Sequence, residues 1–180
     1  MVSSRAYSIF DREHDTVFVK TDNDGIETVY RFLKEKGFID KEDASITDES
    51  NGGAETIDIR ESRILVSGGG GMAGSFDSLK PLAQALGAQV SASRRLVDSG
   101  IAPRRIQVGQ SGKTVNCELY IAIGIYGAFQ HVIGIKKVKY LITVNRNRLA
   151  PISSLADIAV EGDTVEFIEK MTARLTADRQ

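Results

Sequence analysis

Apolar and polar positions along this chain fall into two regimes that meet near Arg63. In the first, Asp15–Lys20 (DTVFVK) alternates with the period of two that predicts a short strand. Asp22 or Asn23 is placed to cap an amphipathic helix with Ile26, Val29, Tyr30, Phe32 and Leu33 inward and Gly37 as its stop. From Asp40 to Glu61 the chain turns acidic and rich in Gly, Asn and Ser, which predicts a solvated connection with one edge strand at Thr56–Ile59. In the second regime short β-branched runs alternate with stretches of helical period. They are RILVS, Phe76–Leu86, AQVSAS, Arg94–Ser99, ELYIAIGI, Ala128–Ile133, KYLITVN, DIAV and a terminal helix from Thr164 to Leu175. That alternation predicts an α/β chain, a three-layer and mostly parallel sheet with helices on both faces. Residues 1–62 are expected to form a short acidic N-terminal appendage of strands plus one helix, and 63–180 the main domain. In such sheets ligands bind beyond the carboxyl ends of the strands, so function is expected in the segments that follow each strand.

Composition narrows this little. The 180 residues are 42% apolar and 26% charged, a globular mixture that excludes a largely disordered chain. A lone Cys117 excludes a disulfide framework within one chain and a zinc site built on several cysteines. No apolar run approaches the roughly 18 residues of a membrane span, and the start MVSSRAYSIFDREHD has no secretory h-region, so no membrane insertion is expected and the cytoplasm is the expected setting. Charge is more informative. The net −1 conceals 8 Lys or Arg against 15 Asp or Glu in residues 1–62, a net −7, and a net +6 in the remainder. Arg94–Arg148 carries ten basic residues against Asp98 and Glu118. Such a basic region points to an anionic ligand, a nucleic acid or an acidic partner.

The first strand of the main domain ends in Ser67-Gly68-Gly69-Gly70-Gly71-Met72-Ala73-Gly74. Gly69-x-Gly71-x-x-Gly74 has the spacing of a dinucleotide fingerprint, whose glycines let backbone N–H groups approach a pyrophosphate. A NAD site wants an acidic residue about 20 residues further on. Ser91-Ala92-Ser93-Arg94-Arg95 stands there instead, which on the fingerprint alone would favour NADP. The next segments are more specific: Gln107-Val108-Gly109-Gln110-Ser111-Gly112-Lys113, then Gly124-Ile125-Tyr126-Gly127-Ala128-Phe129-Gln130-His131, then Asn145 at the end of a strand.

In unbroken order VSGGGG (66–71), ASRRLVDSG (92–100), QVGQSGK (107–113), ELYIAIGIYGAFQH (118–131), TVN (143–145) and APISSLAD (150–157) resemble the C-terminal FAD-binding domain of the electron-transfer flavoprotein alpha subunit, from residue 63 to about 175. The resemblance implies a Rossmann-like sheet of the DHS-like NAD/FAD-binding type that holds FAD across its strand ends. It implies an electron carrier between flavin and protein partners rather than a catalyst with its own substrate. Those partners would be a beta-like flavoprotein subunit, a dehydrogenase or a second copy of the chain. Carried over by motif, Ser67, Gly68 and Gly69 would meet the cofactor at the first turn, and Ser93 and Arg94 would lie by the isoalloxazine. Gln107, Val108, Gly109, Gln110, Ser111 and Gly112 would wrap the ring and ribityl chain, with Ser111 where the family has a threonine bonded to flavin N5. Gly127, Ala128, Gln130 and His131 would serve flavin and diphosphate, with His131 near the pyrimidine carbonyl, and Asn145 and Asp163 the ribose and adenine. Reduction of a flavin places negative charge near N1 and the C2 carbonyl, which an arginine and a histidine donor would stabilise.

Two positions depart from the pattern: Gly70 stands where the family has a phosphate-facing arginine, and Tyr126 where it has a small serine. They motivate an alternative, a non-redox module for NADP or AMP on the same fold. The basic stretch lacks interleaved aromatics or a reader motif, so no nucleic-acid partner is expected. Arg95 and the Lys136-Lys137-Val138-Lys139 run read as solvated surface, Cys117 as a small core residue, and His14 as incidental.

Overall fold

The computed structural model describes residues 15–39 and 57–179. Seven strands form one sheet: β1 (Val17–Lys20), β2 (Ile64–Gly68), β3 (Gln89–Ser93), β4 (Gln107–Val108), β5 (Leu119–Ile123), β6 (Tyr140–Asn145) and β7 (Ile158–Glu161). Their order is β1-β7-β6-β5-β2-β3-β4 and every pairing is parallel. Five helices cover it: α1 (Asn23–Glu35), α2 (Leu79–Leu86), α3 (Arg94–Asp98), α4 (Phe129–Ile135) and α5 (Thr164–Ala177). The expected α/β layering is therefore present, and the sheet is wholly rather than mostly parallel among the described residues.

The strands are apolar on both sides, and their alternation sorts side chains into two cores. Ile64, Val66, Ile121, Ile123, Ile142 and Val144 face α1, α2 and α5, with Phe167, Leu82 and Leu33 filling the interface. Leu65, Tyr120, Ala122 and Leu141 face the opposite layer, where Val132 and Ile135 of α4 and Ile152 pack on them. A smaller cluster of Ala92, Leu96 and Ala102 seats α3 beside β3.

The N-terminal strand and helix form as their pattern predicts. Asp22 caps α1 by accepting a 2.8 Å hydrogen bond from Gly25 N–H. Ile26, Val29, Tyr30 and Leu33 are buried, and Phe32 sits edge-on to Tyr140. Both elements join the main sheet: β1 pairs with β7 in register from Val17↔Ile158 to Lys20↔Glu161, and α1 packs into the core that α5 shares.

Two expectations change. No strand forms at Ile57–Ile59; a 3₁₀ turn spans Ile59–Glu61 instead. Asp58 accepts from Arg60 N–H and pairs with both Arg60 and Lys113, so the polar side chains claim the backbone that an edge strand would need. Thr56, the rest of the acidic stretch at 40–56, and His14 lie outside the described residues. The other change is β4, where Gln107 and Val108 of a polar, glycine-bearing segment with no expected strand extend the sheet by pairing with Ala92 and Ser93. Cys117 is buried in the core as expected. No helix among the described residues is long and apolar enough to cross a membrane.

Leu33 is fully buried between α1 and the shared core. Leu33→Ala is expected to cost about 2–5 kcal/mol. Because α1 is continuous with the core of the sheet, urea denaturation should show this as a lowered midpoint of one transition, not as a separate early step.

Candidate functional site

The chain runs from β2 outward to β3 and β4, then returns to β5 beside β2 and proceeds the other way to β6 and β7. The turns leaving β2 and β5 therefore diverge, and a parallel sheet opens a crevice at such a point. A cavity of about 420 Å³ lies there, within the size range of small-molecule sites. A second cavity of about 310 Å³ sits where Ile57–Ile59 meets Gln89 and Arg105, away from this crevice and beside the Asp58–Lys113 ion pair.

Most of the expected cofactor residues gather at the larger cavity. Ser93, Arg94, Val108, Gly109, Gln110, Ser111, Gly127, Ala128, Gln130 and His131 line it, together with Gly70, Arg95 and Tyr126. Two close backbone approaches shape its walls. The turn after β2 meets the turn after β5, where Gly71 N–H donates to the Gly124 carbonyl at 3.0 Å and Gly124 adopts φ +65°. On the other wall the 109–112 loop lies on α4: Gln110 N–H donates to the Gln130 carbonyl at 2.7 Å, and a Cβ on Gly134 would stand 2.6 Å from Gly109 N. The loop is thus positioned by backbone contact.

The remaining expected residues stand back from the lining. Ser67 and Gly68 are buried inside β2, and Gly69 is pressed against Gly124 and Ile125. Gln107 is buried under the loop, and its Nε2 donates to Ser111 Oγ at 2.9 Å. That leaves the Ser111 hydroxyl proton free for a donor role at the exposed loop. Gly112 packs on the Gln107 carbonyl. Asn145 is buried at the end of β6, with its Nδ2 making no hydrogen bond. Asp163 caps α5, accepting from Val165 and Glu166 N–H, and its other oxygen pairs with Arg146 at 2.5 Å. The Glu166 N–H first, Arg146 second and the Val165 N–H least hold its carboxyl below the usual range. Neither Asn145 nor Asp163 lines the cavity.

The dinucleotide fingerprint is not realised as spaced. After β2 come a 3₁₀ turn at Gly70–Met72 and another at Phe76–Ser78, and α2 begins only at Leu79. Exposed Gly74 therefore opens no helix. The helix following Gly127 starts at Phe129 and has seven residues.

One contact was hidden from motif reading. Tyr120, on β5 and fully buried, places its hydroxyl 3.0 Å from His131 Nε2. Burial pushes the phenol up, so it keeps its proton beside Nε2. Burial also pushes His131 down to about 4, against a weaker pull from the Val108 backbone. The imidazole is therefore neutral, and its Nδ1 is buried. Tyr120 sits inside the ELYIA run and looked like core; only the tertiary pairing shows its polar end. Arg95 also looked like surface, yet it lines the cavity. Tyr126 is 68% exposed, so it borders the cavity without filling it.

A buried neutral imidazole, two guanidinium groups and no lining carboxylate make the cavity suitable for a ligand with polar ring atoms and negative charge. A flavin dinucleotide has both, so the residues present fit the cofactor.

Comparison with known proteins agrees. Residues 58–136 match the family described as the electron transfer flavoprotein FAD-binding domain. The electron transfer flavoprotein subunit alpha of Mycobacterium leprae is 44% identical over 122 residues, 67% of this chain and 38% of that one. That of Paracoccus denitrificans is 44% identical over 120 residues, 66% and 39% of the two chains. That of Mycobacterium tuberculosis H37Rv is 46% identical over 116 residues, 63% and 36%. The chain is related to electron transfer flavoprotein alpha subunits, and it spans well under half the length of these relatives.

Two outcomes follow from this geometry. Gly134→Ala must displace Gly109 backbone, with an expected loss of about 1–3 kcal/mol in chemical denaturation. The second concerns pH. Above the ordinary imidazole value of 6.5, His131 is neutral in folded and unfolded chains alike; below it only the unfolded chain takes up the proton, until about pH 4. Stability is therefore complete above pH 6.5 and declines between 6.5 and 4, by at most about 1.4 kcal/mol per pH unit from this group. His131→Gln should flatten that part of the stability profile.

Proposed function

We propose that this chain binds FAD in the crevice beyond β2, β3, β4 and β5 and passes electrons between the flavin and protein redox partners. The observation that carries the reading is a cavity lined by Arg94, Arg95 and a neutral His131 with no carboxylate, in a chain related through this region to electron transfer flavoprotein alpha subunits. FAD itself supplies the one-electron chemistry, and the polypeptide supplies binding, orientation and electrostatics.

Each side chain then has a defined task. His131, neutral and held against the Tyr120 hydroxyl, presents its imidazole to a carbonyl of the ring. Ser111, its oxygen already accepting from Gln107, donates its proton to a ring nitrogen. Arg94 lies at the mouth with its Nε on Asp98 at 3.1 Å, leaving its terminal nitrogens for the ring edge. Gly109, Gly127 and Ala128 bring backbone rather than bulk to the cofactor. Asn145, whose Nδ2 makes no hydrogen bond, and Asp163 serve the adenosine end beyond β6. No step requires a nucleophile or general base.

The binding unit in this reading is residues 63–180, with the acidic 1–62 segment joined to it through β1 and α1. A beta-like flavoprotein subunit is the first partner to seek, and a dehydrogenase or a second copy the next. A cytoplasmic setting accords with a chain of this kind.

Purified protein incubated with FAD should acquire flavin absorbance that denaturation releases, and FAD should raise the melting temperature. Protein that stays colourless in excess FAD, with no thermal shift, would sink the reading. NADP and AMP run alongside test the non-redox alternative, and Arg94→Ala should weaken FAD more than AMP.

A further inference from the structure

We propose that Arg95 anchors the diphosphate of the bound dinucleotide, supplying from α3 the charge that the first glycine turn does not carry. The inference rests on the FAD reading above and concerns a residue outside the expected set.

Its basis is the space at Gly70. A Cβ built there would lie 2.7 Å from Arg95 Cδ, 3.0 Å from Nε and 3.3 Å from Cζ. The arginine therefore lies across the turn that follows β2, and it can do so because position 70 has no side chain. Both residues line the cavity. The neighbouring Arg94 has Asp98 as its counter-ion, whereas no described carboxylate pairs with Arg95, and none lines the cavity.

A guanidinium with no counter-ion among the described residues, at a cavity lined by no carboxylate, is matched to an anion. On an oxidised flavin dinucleotide the anionic groups at neutral pH are the two phosphates; the ring is neutral. Planar guanidinium forks bind phosphate oxygens through paired, charge-assisted hydrogen bonds. In the turn beneath Arg95 the Gly69 and Gly71 N–H groups are engaged with the Ile123 and Gly124 carbonyls, so Gly70 supplies space and the charge falls to Arg95. The family motif carries its arginine at position 70; here that space holds an arginine that arrives from position 95. The glycine and the second arginine of ASRR are thus two halves of one arrangement.

The test compares wild type with Arg95→Ala, an exposed position whose truncation leaves the core intact, with folding verified by circular dichroism. FAD and riboflavin, which has the ring without phosphate, are titrated against each by fluorescence. Arg95→Ala is expected to weaken FAD tenfold or more and leave riboflavin unchanged. In ³¹P NMR of the bound dinucleotide, Arg95→Ala should move the phosphate resonances and Arg94→Ala should not. Unchanged FAD affinity, parallel loss of FAD and riboflavin, or unmoved phosphate resonances would overturn the role of Arg95 while leaving the flavin reading standing. A wild type that binds no FAD overturns both.

Discussion

The site depends on how closely the turns after β2 and β5 meet. Gly69 N–H donates to the Ile123 carbonyl and Gly71 N–H to the Gly124 carbonyl, each at 3.0 Å, while Gly124 N–H reaches the Val144 carbonyl at 2.9 Å. Three strand ends are stitched together by backbone alone. From this seam the chain departs toward β3 on one side and β6 on the other, and the crevice is the space between the departures. Side chains at these glycines would push the turns apart, since Cβ atoms at Gly69 and Gly71 would fall 2.4 and 2.9 Å from their neighbours across the seam. Cavity shape is thus a consequence of absent side chains.

Around that seam the protein combines a dry interior with a charged mouth. Behind the lining, Tyr120 and His131 are buried and in hydrogen-bond contact, and burial keeps both uncharged. At the mouth, Arg94 and Arg95 are exposed and cationic. Polarity inside a low-dielectric wall and charge at its rim do different work. The inner pair has a fixed orientation and strong directionality, and the outer charges attract and place an anion while remaining solvated.

Much of this was legible along the chain because the governing patterns are local. The strands β5 and β6 announce themselves as β-branched apolar runs, and α1 by its period, its Asp22 cap and Gly37. Most motif residues meet at the cavity because each follows a strand, and parallel strands deliver all such segments to one edge. What escaped reading depends on contacts between distant segments. β4 forms because Gln107 and Val108 find Ala92 and Ser93, a pairing that two polar-flanked residues cannot advertise. Ile59 turns into 3₁₀ structure because Asp58 meets Lys113 from another loop. The role of Tyr120 appears only once α4 folds over β5. Arg95 reads as surface until the empty space at Gly70 is seen beneath it.

The pairing of β1 with β7 carries a consequence for how the molecule is made. These strands lie roughly 140 residues apart in the chain, and α1 packs on α5, the last helix described. During synthesis β1 and α1 leave the ribosome well before β7 and α5, and they have no docking partner until those elements follow. The β2–β6 portion, which contains the crevice walls, can assemble before that. The apolar faces of β1 and α1 must meanwhile wait in solution. Residues 40–62, with eight Asp or Glu against two Lys or Arg, follow that waiting segment with like charge, which opposes its premature association with other nascent chains.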